Sequence, residues 1–246
     1  MQIQKQKLDL EIIAYHGWGF DSTFWNNWPA ILPHNVLFKT ADKGYFLDEK
    51  HPKFSGSSKH KALFLHSYGL HWCPQEHIEQ ATCIVIFNGF RCFHPDDGSQ
   101  RSESRKALQS MISGFENNPK DVLQAFWKNV FHPHKNKYIR KGKFDKDLLV
   151  KDLKQMDTGS FNIQNLQNGK PIISLDGGSD KVLTNNRGKS FTEITEGNAV
   201  YHFIKKAGHG LPATHHQECW SFISAMIPIF QHNGNYRRKR HQQSSP

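Results

Sequence analysis

Tyr15-His16-Gly17-Trp18-Gly19-Phe20 closes the first apolar run of this chain, and its reading decides the fold. The run Leu8–Tyr15 is rich in β-formers, and a strand that ends in His-Gly turns sharply. Such a turn can offer a backbone N–H to an anion. Two later fragments complete the pattern. A second apolar strand, Ala62–Leu65, runs into His66-Ser67-Tyr68-Gly69. Near the C-terminus, Gly208-His209-Gly210 follows the strand pattern Ala199–Ile204. A serine with a small neighbour at the end of a buried strand is how a nucleophile on a strand-to-helix turn reads in sequence. The usual form of that turn is G-x-S-x-G; here Leu65 takes the first glycine position and Gly69 keeps the second.

A serine nucleophile needs a base and an acid that orients the base. Among 16 histidines, His209 stands out by its glycine flanks and its place after the last strand. His66, His71, His202 and the His215-His216 pair read as structural or solvated. For the acid, Pro171–Val182 offers Asp176 and Asp180. The Gly-x-x-Asp-x-Val spacing of Gly177, Asp180 and Val182 selects Asp180, while Asp176 still lies on the strand. The chain order Ser67, Asp180, His209 is that of α/β-hydrolases. The expected fold class is therefore α/β, with a mostly parallel central sheet flanked by helices. The expected oxyanion donors are the backbone N–H groups of Tyr68, which follows the nucleophile, and of Trp18, in the turn after the first strand.

The rest of the chain divides around that core. Asp21-Ser22-Thr23 offers N-cap chemistry for a helix carrying Phe24, Trp25 and Trp28. Asn35–Phe38, Thr82–Phe87 and Pro171–Leu175 read as strands, residues 47–61 as an exposed loop, and the stretch from Ser67 to Ala81 as a helix. Residues 101–160 break the alternation of strand and helix. Leu108, Met111, Ile112 and Phe115 recur at helical spacing, as do Val122, Leu123, Phe126, Trp127 and Val130, and then Leu148, Leu149, Leu153 and Met156. This predicts a helical lid over 101–160 inserted into a hydrolase core of 1–100 and 161–231. Gln217–Phe230 predicts a closing helix, and 232–246 a disordered basic tail.

The net charge of +10 is uneven. Residues 98–160 carry 13 Lys/Arg against 7 Asp/Glu, Arg237-Arg238-Lys239-Arg240 supplies the remainder, and the other residues balance to zero. A localised basic patch steers an acidic partner. Other classes find little support. No run of 18 apolar residues suggests a transmembrane helix, and Met1–Lys7 lacks the apolar core of a secretory signal. Cys73, Cys83, Cys92 and Cys219 form no C-x-x-C pair, so buried thiols in a reducing cytoplasm are expected. Walker A, G-x-G-x-x-G and H-E-x-x-H patterns are absent, and His132-Pro-His134 lacks a four-ligand spacing, so neither metal nor cofactor is expected. Nucleic-acid binding through the four-residue basic tail lacks an aromatic stacking motif beside it.

From Leu10 to about Phe230 the chain resembles the pimeloyl-[acyl-carrier protein] methyl ester esterases of biotin synthesis. The resemblance rests on His16-Gly-Trp-Gly-Phe-Asp-Ser-Thr-Phe-Trp25, on Gly208-His209-Gly210 with His216 and Cys219, and on the lid runs Ala107–Phe115, Val122–Phe126 and Leu153–Gly159. It implies a cytoplasmic esterase that removes a methyl group from a pimeloyl chain carried on acyl carrier protein. It also implies basic lid residues that dock the carrier, here Lys137, Arg140, Lys141 and Lys143. Leu65, and a link between the second and third strands with no evident helix, mark a divergent member. Phe24, Trp25, Phe115, Phe126 and Trp127 are candidates for a hydrophobic acyl channel, with plain core packing as their alternative. A monomer is expected. Two other readings stay open: a general carboxylesterase or thioesterase for small acyl groups, and a non-catalytic binding protein on the same fold.

Overall fold

Apolar runs without alternation need cover on both faces, and burial shows where each run lies in the sheet. The computed structural model describes residues 10–56, 58–135, 138, 140, 142–166, 169–183, 187–194 and 199–226. Among them, β1 (Leu10–Tyr15), β2 (Val36–Thr40), β3 (His60–His66), β4 (Cys83–Phe87), β5 (Ile172–Gly177) and β6 (Ala199–Ile204) form one sheet. The strand order is β2-β1-β3-β4-β5-β6, with every neighbouring pair parallel. The inner strands β1, β4 and β5 are buried at every residue, whereas edge strands β2 and β6 are partly open.

Glu11 is the exception inside β1. Its side chain is fully buried, with Lys39 of β2 as its ion partner. It also accepts from the Ser55 N–H and Oγ, both at 2.8 Å. These bonds tie down the segment between β2 and β3, which a purely exposed loop would leave free. Among the described residues that segment holds no helix.

After β3 the expected single helix is two short ones, α1 (Gly69–Trp72) and α2 (Gln75–Gln80). Pro74 lacks an N–H and forces Cys73 into an extended conformation, with ψ at 125°. The break leaves the Trp72 indole to donate to the His16 carbonyl at 2.9 Å. Likewise the helix expected around Phe24 is one 3₁₀ turn, Ser22–Trp25, capped by Asp21, which accepts from the Thr23 N–H at 2.9 Å.

Between β4 and β5 the chain forms α3 (Gly98–Asn117), α4 (Pro119–Phe131) and α5 (Lys146–Thr158). Asp97 and Asp145 cap α3 and α5, and Pro119 starts α4, where its missing N–H costs nothing. These three helices fall largely within residues 101–160, where helical spacing was read from the sequence. Beyond β5 come α6 (Lys189–Ile194), α7 (Leu211–Thr214) and α8 (His216–Met226). The basic tail and the end of the closing helix lie outside the described residues. The four cysteines are free thiols, and Cys92 alone of them is not buried. No described helix is long and apolar enough to cross a membrane.

Candidate active site

Ser67 stands at the C-terminal end of β3 with φ at 52°, in the left-handed region that a non-glycine residue rarely occupies. Its N–H donates to the Phe87 carbonyl at 2.9 Å, so β4 holds the turn in place. The turn also lies hard against the end of β1. A Cβ on Gly69 would sit 2.5 Å from the Tyr15 carbonyl oxygen and 3.0 Å from that of His16, which is why the second elbow position is glycine. Leu65, in place of the first glycine, is wholly buried in the sheet between Tyr15 and Ile86.

The Ser67 hydroxyl donates to Nε2 of His209 at 2.9 Å, and His209 Nδ1–H donates to Oδ2 of Asp180 at 2.7 Å. His209 is 1% exposed. Its glycine flank has a packing cause: a Cβ on Gly208 would fall 1.8 Å from the His132 carbonyl oxygen at the end of α4. The other Asp180 oxygen accepts from the N–H groups of Val182 at 2.7 Å and Leu183 at 2.9 Å. Burial pushes the Asp180 carboxyl up. The His209 ring and those two N–H groups outweigh it, and the acid stays below its ordinary range.

Asp176 is placed differently. It points into the protein behind this chain of bonds, accepting from the Gly188 N–H at 2.8 Å and from the Tyr201 hydroxyl at 3.3 Å. Burial raises its carboxyl to about 6. The two carboxylates that sequence offered are therefore distinct: Asp180 meets the imidazole and Asp176 does not.

The His16–Gly19 turn faces the elbow. His16 is buried, and Lys43 N–H donates to its Nε2 at 3.1 Å. Among the described residues, neither the Trp18 nor the Tyr68 backbone N–H has an acceptor. Lid helices clasp this turn. The Trp18 indole donates to the Leu149 carbonyl of α5 at 2.9 Å, and the Trp127 indole of α4 donates to the Gly19 carbonyl at 2.8 Å. The Tyr68 hydroxyl donates to Gln155 of α5 at 3.2 Å. No described group of three or more His, Cys, Asp or Glu side chains is arranged to hold a metal.

A parallel sheet whose C-terminal edge brings together Ser67, Asp180 and His209 in that chain order has a known counterpart. The chain has the α/β-hydrolase fold. The bromoperoxidase of Bacillus anthracis superposes with a TM-score of 0.69 at 16% identity, over 87% of this chain and 90% of that one. The esterase EaEST of Exiguobacterium antarcticum gives 0.66 at 10% identity, over 88% and 91%. BioG of Haemophilus influenzae gives 0.58 at 15% identity, over 84% and 91%. No protein-family model and no curated protein matches the sequence.

Within this hydrolase fold the predicted acyl-channel residues separate. Phe115 and Phe126 lie edge-on to Trp18, with ring centroids 5.8 and 4.8 Å away. Trp127 is held by its bond to Gly19. Phe24 stacks on His66 at 4.5 Å, beside the nucleophile. Trp25 is a correction: it is fully buried among Trp28, Phe38, Phe64 and Phe87, a core-packing position that meets this group through Phe24, edge-on at 5.4 Å.

Of the predicted docking cations, Lys137 and Lys141 lie outside the described residues, and Lys143 is exposed. Arg140 is the second correction. Its guanidinium pairs with the buried Asp21 and donates to Thr23 Oγ1 at 2.8 Å, so it pins the lid to the core. Asp21 is fully buried and Arg140 only 25% exposed. Arg140→Ala should therefore lower unfolding free energy by roughly 3 kcal/mol, the cost of leaving a buried charge unpaired. Urea denaturation checks this, and an unchanged midpoint would return Arg140 to the free surface.

Two further residues touch this set: His66, read from sequence as structural or solvated, and Asn88, which drew no reading. His66 is fully buried, and its Nε2–H donates to the His209 carbonyl at 3.0 Å. Burial keeps this imidazole neutral, well below its ordinary pKa. Asn88, at the end of β4, donates from Nδ2 to Asp180 Oδ2 at 2.6 Å. The signal for it was visible: an apolar strand ending in a polar residue and a glycine, as β3 does.

Proposed function

We propose that this chain is a serine esterase, and that its substrate is the methyl ester of pimeloyl-[acyl-carrier protein]. The observation that carries the esterase reading is the unbroken chain of bonds from Ser67 through His209 to Asp180, beside two backbone N–H groups without acceptors among the described residues. Ser67 attacks the ester carbonyl and His209 takes its proton. Asp180 holds the His209 tautomer and stabilises the imidazolium. The Trp18 and Tyr68 N–H groups receive the oxyanion. Methanol leaves with the proton from His209, and a water activated by the same ring clears the acyl-enzyme. Phe24, Phe115, Phe126 and Trp127 would bound the acyl chain.

The substrate rests on the resemblance of the His16–Trp25 and Gly208–Gly210 motifs, and on lid cations suited to an acidic carrier. Arg105, Lys106, Lys120, Lys128 and Lys143 are exposed on the lid. Arg101, Arg105 and Lys106 line one groove along α3. The second reading, a small-acyl carboxylesterase or thioesterase, gains from Arg140, because its pairing with Asp21 removes one charge from the docking set.

Kinetics on two substrates decide between them. Arg105→Ala, Lys106→Ala and Lys143→Ala together should raise KM for the carrier-bound methyl ester and leave kcat for p-nitrophenyl butyrate unchanged. Salt should erode the preference for the carrier-bound ester, since exposed charges are screened over about 8 Å at physiological ionic strength. Equal effects on both esters would remove the carrier and leave the generic esterase.

A further inference from the structure

Four adjacent strands each contribute one polar side chain to the same edge of the sheet. Ser67 follows β3, Asn88 follows β4, Asp180 lies beyond β5 and His209 beyond β6. Three of these make up the proposed catalytic set; Asn88 has had no part in it. Its backbone repeats that of Ser67. Asn88 has φ at 46°, and its N–H donates to Leu175 O at 2.8 Å, as Ser67 N–H donates to Phe87 O.

The side chain reaches the acid directly. Asn88 Nδ2 donates to Asp180 Oδ2 at 2.6 Å, the same oxygen that accepts from His209 Nδ1. A carboxylate only accepts, so the orientation of the amide is settled by its partner. With Oδ1 held by the Val182 and Leu183 N–H groups, Asn88 supplies the fourth donor to this carboxylate. The residue is 2% exposed, and its own Oδ1 has no donor among the described residues. An amide held at positive φ with a buried, unpaired oxygen costs stability. What the arrangement gains is the bond to Asp180.

We propose that Asn88 is a positioning residue of this site, whose amide fixes the Asp180 carboxylate toward His209. The proposal rests on the serine-esterase reading. Other titratable groups face the pair. Asp176 approaches from β5, with Tyr201 and Arg187 behind it, and His66 from β3 acts through its bond to the His209 carbonyl. Without the amide, Oδ2 carries more of its charge onto the His209 bond, which favours the imidazolium.

Two variants test this on p-nitrophenyl butyrate across the pH range, with a fluorophosphonate label on Ser67 as the control for the site itself. Asn88→Gly keeps the positive-φ turn and removes only the amide. It should lower kcat about tenfold to a hundredfold, the loss of a hydrogen bond to a charged group, with KM little changed. It should also move the acidic limb of kcat/KM to higher pH. Asn88→Asp places a second carboxyl against Asp180, and two such groups share one proton because both ionise only with difficulty. At the acidic end the shared proton replaces the lost donor and activity exceeds that of Asn88→Gly. As pH rises the proton leaves and activity falls along an alkaline limb that the wild type lacks.

A purely structural residue would lower the melting temperature without creating that limb. If Asn88→Gly fails to fold by circular dichroism, the near-isosteric Asn88→Asp carries the test alone. An unchanged kcat and acidic limb in a folded Asn88→Gly, or an Asn88→Asp profile parallel to the wild type, overturns the proposal. A wild type that neither hydrolyses the ester nor labels at Ser67 removes the esterase reading and this proposal with it. An active wild type with unaffected variants removes Asn88 alone.

Discussion

Ser67→Ala should lower ester hydrolysis by on the order of 10⁵- to 10⁶-fold while the protein stays folded. The size follows from the way the groups act as a unit. Without Oγ there is no acyl-enzyme, and the His209–Asp180 pair has no proton to move. What remains is binding beside the Trp18 and Tyr68 N–H groups, which by themselves retain some advantage over water. The fold should tolerate the change because alanine keeps the Cβ that already sits at φ 52°. The loss is one hydrogen bond to His209 Nε2, about 1 kcal/mol. Turnover of p-nitrophenyl butyrate, fluorophosphonate labelling and a thermal melt read the three consequences separately. Near-normal turnover by a folded Ser67→Ala protein would end the serine-hydrolase reading, including its carrier-bound substrate.

The sheet was legible because a parallel strand must be apolar on both faces. Cys83–Phe87 shows this as an unbroken run and Leu10–Tyr15 as a run broken only by Glu11, and both are buried at every position. The helices between β4 and β5 were legible for the complementary reason: spacings of three and four within 107–156 fit helices packed on one face. Local breaks were harder to see. Pro74 cuts the helix after Ser67 into α1 and α2. Trp25 and Trp28 looked like helix residues, but Trp25 ends a single 3₁₀ turn and Trp28 lies beyond it, and both indoles fill the core.

Ser67, Asp180 and His209 could be found because their chain order and glycine neighbours are local signals. Asn88 carries a similar local signal in its strand end and Gly89, but neither its partner nor that of Arg140 could be placed that way. Each matters through one partner far along the chain, Asp180 for the first and Asp21 for the second, and no spacing records such a pairing. Arg140 was grouped with its basic neighbours by resemblance and charge, yet its own charge is spent within the fold.

The two carboxylates at the end of β5, Asp176 on the strand and Asp180 in the loop after it, should separate by activity and, with opposite signs, by stability. Asp180→Asn should cost on the order of 10⁴ in kcat. An asparagine there can still accept from Val182 and Leu183, but it then turns its NH₂ toward His209 Nδ1. Donor meets donor, and the ring is driven to the wrong tautomer. Asp180 is held below its ordinary pKa, so it stabilises the fold above that ordinary value and the contribution is lost as pH falls through the depressed one. Asp180→Asn should therefore also destabilise the protein at neutral pH.

Asp176 runs the other way. Burial raises it to about 6 against an ordinary value near 3.9, so the folded state binds its proton more tightly than the unfolded chain does. Ionising it within the fold costs stability that grows from about pH 4 to about pH 6 and levels off above, on the order of 3 kcal/mol. Asp176→Asn removes that cost. Its melting temperature should match the wild type in acid and exceed it at neutral pH, with catalysis nearly unchanged because His209 does not touch this carboxyl. Melts and initial rates of both variants across that range decide the matter. A greater loss of turnover in Asp176→Asn would make Asp176 the acid, and the bond from His209 to Asp180 an arrangement of the resting site alone.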